Sequence, residues 1–497
     1  MMHGREESDR PVLPVKPPNN AARAAAEAVE GRGLRKGNVA SKTRSGPSAG
    51  QGAPSALGRV RRIAQQDKGA RFTALLHHVD VDRLRAAYWA LNPRAATGVD
   101  GVTWQEYGLD LEENLRDLHA RVHRGAYRAK PSRRAYIPRP DGRLRPLGIA
   151  ALEDKILQRA VVEVLGAVYE ADFLGFSYGF RPGRSQHDAL DALAVGIEKR
   201  KVNWVLDADI RSYFEKIDRA WMARFLEHRI ADRRVLQLIH KWMGVGVIEN
   251  GDWLDTLEGT PQGASVSPLL ANVYLHYVFD LWADRWRRRR ARGDVIIVRF
   301  ADDYIVGFQF RDDAERFLAE LRDRLAQFSL ELAAEKTRLI EFGKFAAERR
   351  QERGQGRPET FGFLGFTHMC AKDRRGRFAL RRTTEKKRLR AKLRAVKEDL
   401  KRRRHVPIPE QGQWLERVVQ GHCRYYAVPG NIKAIRMFRQ QVKRHWYRAL
   451  RSRSQRTSLN WERMNRLEAR WLPPARILHP WPRVRFAART QARSPVR

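Results

Sequence analysis

The sequence predicts an α+β domain followed by an all-helical one, and three observations carry that reading. Helical and strand patterns alternate from about residue 71 to residue 366. Past Phe366 the apolar residues keep helical spacing. The length, 497 residues, exceeds what a single hydrophobic core usually holds.

Composition bounds the class of partner. Lys and Arg number 97 against 57 Asp and Glu, a formal net charge of +40, which is far more than solubility requires and points to a polyanion. No run of about 18 apolar residues and no charged-then-apolar leader occurs, so no membrane partner is expected. Cys370 and Cys423 are too few for a disulfide framework or a four-thiolate zinc site, and the 14 His are scattered. A reducing cytoplasm is the compartment implied.

Residues 1–65 are poor in large apolar side chains and rich in Pro, Gly, Ser, Ala and Arg, the composition of a disordered basic arm. Apolar residues then recur at three and four positions over 79–89 and 109–123, predicting two short helices around the turn-rich ATGVDG. AYIPRPDGRLRPLGIA reads as a hairpin bent at Asp141-Gly142. Helices are expected over 152–169 and 186–197, and WVLDADI reads as a buried strand with its acids at the exit. Between Lys372 and Arg404 there are 17 Lys or Arg against four Asp or Glu, while Leu389, Leu393, Val396 and Leu400 hold an apolar stripe. That is an amphipathic helix with a very basic face. Proline-bounded HVPIPEQG separates it from helices over 414–427 and 432–450, which places the all-helical unit from about Arg381 onward.

The carboxylates carry the chemistry. VRFADDYIVGF shows an apolar strand, an acidic pair and a second apolar strand, the pattern of a hairpin with Asp302 and Asp303 at its turn. Asp is common in tight turns, so the pair alone supports no more than a turn. In WVLDADIRSYF, however, Asp207 and Asp209 end a second apolar strand, and a period of two puts both on one face. Acid-bearing apolar strands in so basic a chain suit a two-metal centre for phosphoryl transfer, in which Mg2+ takes hard oxygen ligands. Spacing leaves open which of Asp207 and Asp209 takes part.

Taken in order, the blocks ATGVDGVTW, IPRPDGRLRPLGIAALEDKILQ, GFSYGFRPGRSQHDAL, LDADIRSYF, GTPQGASVSPLLANVYL, RFADDYIVGF, ELAAEKTRLIEFG and FGFLGF resemble those of group II intron-encoded reverse transcriptases. The resemblance implies a right-hand polymerase, with fingers and palm containing antiparallel sheet over 66–370, an all-α thumb and maturase domain over 371–480, and a short basic tail over 481–497. It implies an RNA-directed DNA polymerase that also binds its intron RNA to assist splicing and mobility by target-primed reverse transcription. Expected partners are group II intron RNA, an RNA template, a DNA primer or target, and deoxynucleotides. The expected cofactor is a pair of Mg2+ ions, and the expected setting is a cytoplasmic ribonucleoprotein, nucleoid-associated when acting on DNA. Two other readings compete: a domesticated or defence-associated reverse transcriptase, and a non-catalytic RNA-binding splicing cofactor.

Residue by residue, the resemblance makes Asp209, Asp302 and Asp303 the catalytic and metal-binding carboxylates, adds the backbone carbonyl of Ile210, and leaves Asp207 outside. Phe214 would lie against the sugar of the incoming nucleotide. Arg143 and Arg145 would hold its triphosphate, Gln262 in the loop Gly259, Pro261, Gln262 and Gly263 would face the nucleotide and template base, and Lys336 would sit near the leaving pyrophosphate. Past Arg381, the centre GHCRYYAVPGN resembles the maturase region; Arg388, Lys392, Arg402, Arg403, Tyr425 and Tyr426 are the expected RNA contacts there, and Trp446 and Trp461 are further candidates for base stacking. Two small departures, Phe300 where Tyr is usual and Ala150 where Pro is common, remove no required oxygen or charge. With only two cysteines, the zinc-assisted endonuclease of many relatives is not expected.

Overall fold

The computed structural model describes residues 56–138, 144–249, 252–254, 263–373, 375–453 and 459–491. Its palm is a four-stranded antiparallel sheet in the order β6-β7-β3-β8, built from β3 (Trp204–Asp209), β6 (Val295–Phe300), β7 (Asp303–Phe308) and β8 (Arg338–Glu341). Alternation decides what each face does. Leu206, Ala208, Tyr304, Val306 and Phe308 turn toward the helices Ser267–Leu275, Leu281–Arg289 and Arg311–Ala326 and join the main core. Val205, Val298, Phe300, Ile305 and Ile340 turn the other way, against helix Gln186–Lys199 and strand residues Phe361, Phe363 and Phe366.

The predicted hairpin forms as β1 (Ser132–Pro138) and β2 (Leu144–Ile149), antiparallel, within a second sheet of order β2-β1-β4-β5. There β1 pairs in parallel with β4 (Val247–Glu249), and β4 turns back into β5 (Asp252–Leu254), so this sheet is mixed where an antiparallel one was expected. A third sheet, β11-β10-β9, holds β9 (Phe361–Phe363), β10 (Phe366–Lys372) and β11 (Phe378–Thr384).

Three expected boundaries are corrected. The helical unit starts at Lys386, because 366–384 form the β10–β11 hairpin. Its alternation was hidden by a charge: Arg382 is buried on the inward face and paired with buried Asp191 at 2.8 Å. At the amino end, residues 56–66, assigned to the disordered arm, form a helix that buries Val60 and Ala64 and packs on helix Leu152–Asp172. Buried Arg229 secures it, donating to the carbonyls of Ala64, Asp67 and Ala70 and pairing with Asp172 at 3.0 Å. The rest of that arm lies outside the described residues. At the carboxyl end, the expected tail contains a helix, Pro482–Gln491, laid on helix Gln186–Lys199, with Arg483 on Glu198 at 3.1 Å and Arg485 on Asp191 at 3.3 Å.

Four helices toward the carboxyl end, Lys386–Arg402, Ile408–Tyr426, Ile432–Arg451 and Trp461–Trp471, share one core around Leu389, Val396, Leu415, Phe438 and Trp446. A proline in the first turn starts the second of them, where a missing N–H costs nothing. Asn460 caps the fourth, accepting from the Arg463 amide at 2.9 Å. Trp446 is fully buried and its indole N–H donates to Gln411 at 2.8 Å. Trp446→Ala is expected to cost about 3–5 kcal/mol, read as a lower midpoint for the transition that unfolds this helical unit in urea unfolding of the full chain.

Candidate active site

β6 and β7 are joined by a tight turn of Ala301 and Asp302, with Ala301 in the left-handed region at φ +57. A non-glycine residue held there costs roughly 1–2 kcal/mol, so the surrounding structure must enforce it. Asp303 opens β7 directly opposite Asp209, the last residue of β3, and Asp207 stands two residues back on the same face opposite Ile305. All three candidate carboxylates are half-buried and gather at one corner of the palm.

Their electrostatics reflect that crowding. Burial pushes the Asp303 carboxyl well above its usual range, and the neighbouring Asp302, Asp207 and Asp209 push it further; Arg388 opposes them. Asp302 is raised for the same reasons, burial first and Asp209 next, with Arg145 and Lys336 opposing. Asp207 is pushed up to about 6, mainly by burial, although Arg338 pairs with it at 3.3 Å. Asp209 pairs with the ammonium of Lys336, which stands in the turn before β8. A lysine cation thus lies against one member of the acid cluster.

The donor set fits a hard divalent cation: the clustered groups are carboxylate oxygens. Among the described residues, no three His, Cys, Asp or Glu side chains are drawn together as a closed metal cage. Backbone geometry adds one further oxygen. Past Asp209 the strand bridges Ile210 to Leu332, with the Ala333 amide on the Asp209 carbonyl at 2.8 Å and the Arg211 amide on the Glu331 carbonyl at 2.9 Å. Successive carbonyls alternate, which leaves that of Ile210 on the β7 side.

The other predicted residues take different places. Phe214 follows in a short 3-10 turn, half-buried and edge-on to Tyr213. Arg145, on β2, is half-buried and within electrostatic reach of Asp302 and Glu215, so the fingers hairpin does bring a cation to the acids. Arg143, Gly259, Pro261 and Gln262 lie outside the described residues. Gly263, which ends that loop, has φ +115, and a Cβ there would stand 2.3 Å from the Gly148 carbonyl of β2, so only glycine allows the approach.

Of the residues expected to contact RNA, Arg388 is exposed, held at 3.1 Å by Glu385, and lies near enough to Asp303 to act on it. Lys392 and Arg402 are exposed, whereas Arg403 lies over the Trp414 ring. Tyr425 and Tyr426 are taken up in packing. The Tyr425 hydroxyl donates to the Leu364 carbonyl at 2.8 Å, and Tyr426 abuts Gly365, so both join helix Ile408–Tyr426 to the β9–β10 turn. Trp446 is core, while Trp461 stays half exposed on Tyr447.

One participant escaped the sequence reading. Arg299, two residues before the turn, is fully buried and bound to Asp280. Its only signal was a charged residue inside an otherwise apolar strand.

Residues 137–368 match the family of reverse transcriptases, RNA-dependent DNA polymerases, whose domains generally use divalent metal ions. Protein YkfC of Escherichia coli strain K12 is 36% identical over 200 residues, 40% of this chain and 52% of that protein. Group II intron-encoded protein LtrA of Lactococcus lactis subsp. cremoris is 34% identical over 222 residues, 44% of this chain and 37% of that protein. Nuclear intron maturase 3, mitochondrial, of Arabidopsis thaliana is 31% identical over 125 residues, 25% of this chain and 17% of that protein. The chain thus spans about half the length of the first of these and less of the others.

A carboxyl raised in the folded state binds protons there that the unfolded chain releases, so the stability it takes away grows as pH rises from its ordinary range through its raised one. Asp303→Asn removes that burden. Without metal, the variant is expected to melt on the order of a degree or two above the natural protein at pH 7.5, with the gap closing toward pH 4.5, as read by scanning calorimetry at both pH values.

Proposed function

We propose that this chain, whose residues 137–368 are a reverse transcriptase domain related to those of group II intron-encoded proteins, copies RNA into DNA and binds its intron RNA to assist splicing and mobility. One observation carries the enzymatic half: Asp209 and Asp303 stand directly opposite across β3 and β7, with Asp302 in the adjoining turn.

In this reading Asp209, Asp302, Asp303 and the Ile210 carbonyl hold two Mg2+ ions. When bound, such ions activate a primer 3′-hydroxyl and stabilise the leaving oxygens. The chain's own groups do the rest. Arg145 holds the triphosphate from the fingers; Arg143 and Gln262, to which the resemblance gives the same nucleotide, lie outside the described residues. Lys336 exchanges its contact with Asp209 for the departing pyrophosphate, to which it can give a proton. Phe214 closes the space where a 2′-hydroxyl would lie.

The maturase half rests on the basic helical unit. Lys392 and Arg402 on the exposed face of helix Lys386–Arg402 suit phosphate contacts with intron RNA, with Arg388 at the end nearer the acids. The working form would be a cytoplasmic ribonucleoprotein that meets DNA at the nucleoid.

Two experiments test this. In primer extension on an RNA template with Mg2+ and deoxynucleotides, Asp302→Asn with Asp303→Asn is expected to lower the rate by about 100-fold or more, while splicing of the flanking intron RNA persists. Synthesis surviving in that variant would refute the site, and splicing that needs no protein would refute the maturase half. Phe214→Ala is expected to reduce discrimination against ribonucleotides by about tenfold or more, on the order of 1.4 kcal/mol; an unchanged ratio of kcat/KM for the two nucleotide sets would remove Phe214 from its role.

A further inference from the structure

The turn that bears Asp302 and Asp303 is held from beneath by a buried ionic network unrelated to substrate binding. Arg299 is fully buried, and all five of its guanidinium N–H groups are used. Nε and Nη2 donate to the two oxygens of Asp280 at 2.7 and 2.6 Å. Nη2 also donates to Ser177 Oγ at 2.7 Å, and Nη1 to Asn272 Oδ1 at 3.0 Å. The last donor, again on Nη1, goes to the carbonyl of Ala301 at 2.9 Å, the left-handed residue of the turn itself.

Each acceptor is fixed in its turn. Asp280 closes a π turn, His276–Asp280, whose extra residue shifts the side-chain register between helices Ser267–Leu275 and Leu281–Arg289. Asn272 donates to the Gly179 carbonyl at 2.7 Å. The segment around Ser177 runs beside the end of β6, where Arg299 donates to the Phe176 carbonyl and accepts from the Tyr178 amide, both at 2.9 Å. A second buried arginine, Arg181, donates to the carbonyls of Leu174 and Ser177 at 2.8 Å and pairs with Glu170. Gly179 closes the assembly, because a Cβ there would stand 2.3 Å from the Ala301 amide.

A buried ion pair is a poor source of stability, since desolvation offsets most of its attraction. Full satisfaction of such a network instead specifies geometry, and here its one acceptor in the turn is the residue that precedes the two acids. We propose that Arg299, bound to Asp280, Asn272 and Ser177, is a positioning residue that sets how Asp302 and Asp303 face Asp209 and therefore how tightly the site holds its metal ions. This rests on the reading of that turn as the metal site.

The test compares three variants of the full chain. Gly179→Ala presses on the Ala301 amide, and Ser177→Ala removes one acceptor from Arg299 with little disturbance of the fold. Leu321→Ala opens a cavity in helix Arg311–Ala326 and reports instability alone. Mn2+ affinity, measured by electron paramagnetic resonance with primer and template bound, is expected to weaken about tenfold in Gly179→Ala. In that variant kcat per titrated active site should fall about as much, with primer–template Kd unchanged. Ser177→Ala is expected to move both in the same direction by roughly twofold to threefold, and it carries the test if Gly179→Ala does not fold. Leu321→Ala should lower Tm and move neither. Natural values for Mn2+ affinity and kcat in Ser177→Ala and in folded Gly179→Ala would overturn the inference, as would equal shifts in Leu321→Ala. A natural protein that binds Mn2+ with an affinity these two variants lower, but that incorporates no nucleotide, would overturn the polymerase reading and leave the role of Arg299 standing.

Discussion

Carboxylates gathered at one corner of a sheet repel one another, and the palm is built to hold them there nonetheless. Asp209 and Asp303 face each other across β3 and β7, Asp302 sits in the turn beside them, and Asp207 stands two residues back. Half-buried among apolar strands, these groups pay for their position twice, in desolvation and in mutual repulsion, which is why the Asp302 and Asp303 carboxyls are raised. A divalent cation reverses both terms. The protein's own cations, Lys336 on Asp209 and Arg145 and Arg388 nearby, offset part of the repulsion.

What lies around the corner follows from the need to keep it in one shape. One face of the palm sheet buries Leu206, Tyr304, Val306 and Phe308 against helices, and the other buries Val205, Ile305 and Phe300 against β9 and β10. The fingers bring Arg145 on β2, kept close by the contact of Gly263 with Gly148. The carboxyl-terminal helical unit brings Arg388, with Tyr425 and Tyr426 fastening its second helix to the β9–β10 turn. These two tyrosines show how one residue type serves two ends: a ring suited to stacking on a base is here part of the joint between helix Ile408–Tyr426 and the β9–β10 turn.

Local patterning made much of this legible. The periods of three to four and of two located helices 152–172 and 186–199 and strand β3 to within a few residues, and the apolar-acid-apolar run located the β6–β7 hairpin. Patterning failed where a long-range partner reversed the local signal. Arg382 adds one more charge to the basic run that predicts a helical unit from about Arg381, yet Asp191 from helix Gln186–Lys199 neutralises it inside, on strand β11. The amino-terminal helix Ala56–Gln66 looked too polar to order, but its order comes from carbonyls that accept from Arg229, far along the chain. The basic carboxyl end folds onto the palm because Glu198 and Asp191 await its arginines.

The sequence by itself determined which atoms are available for chemistry: acids at the ends of apolar strands, with the choice between Asp207 and Asp209 resting on the resemblance, a large excess of positive charge, and blocks in an order shared with intron-encoded reverse transcriptases. Those properties are local or additive, and they survive being read one residue at a time. Only the tertiary structure decided how the acids are aimed. Asp280, Asn272 and Ser177 come from separate segments to satisfy one buried guanidinium, and Gly179 is glycine because the Ala301 amide lies against it. The hydrogen-bond demands of a buried charge can be met only by whatever the fold brings within 3 Å, and no periodicity in a chain records that.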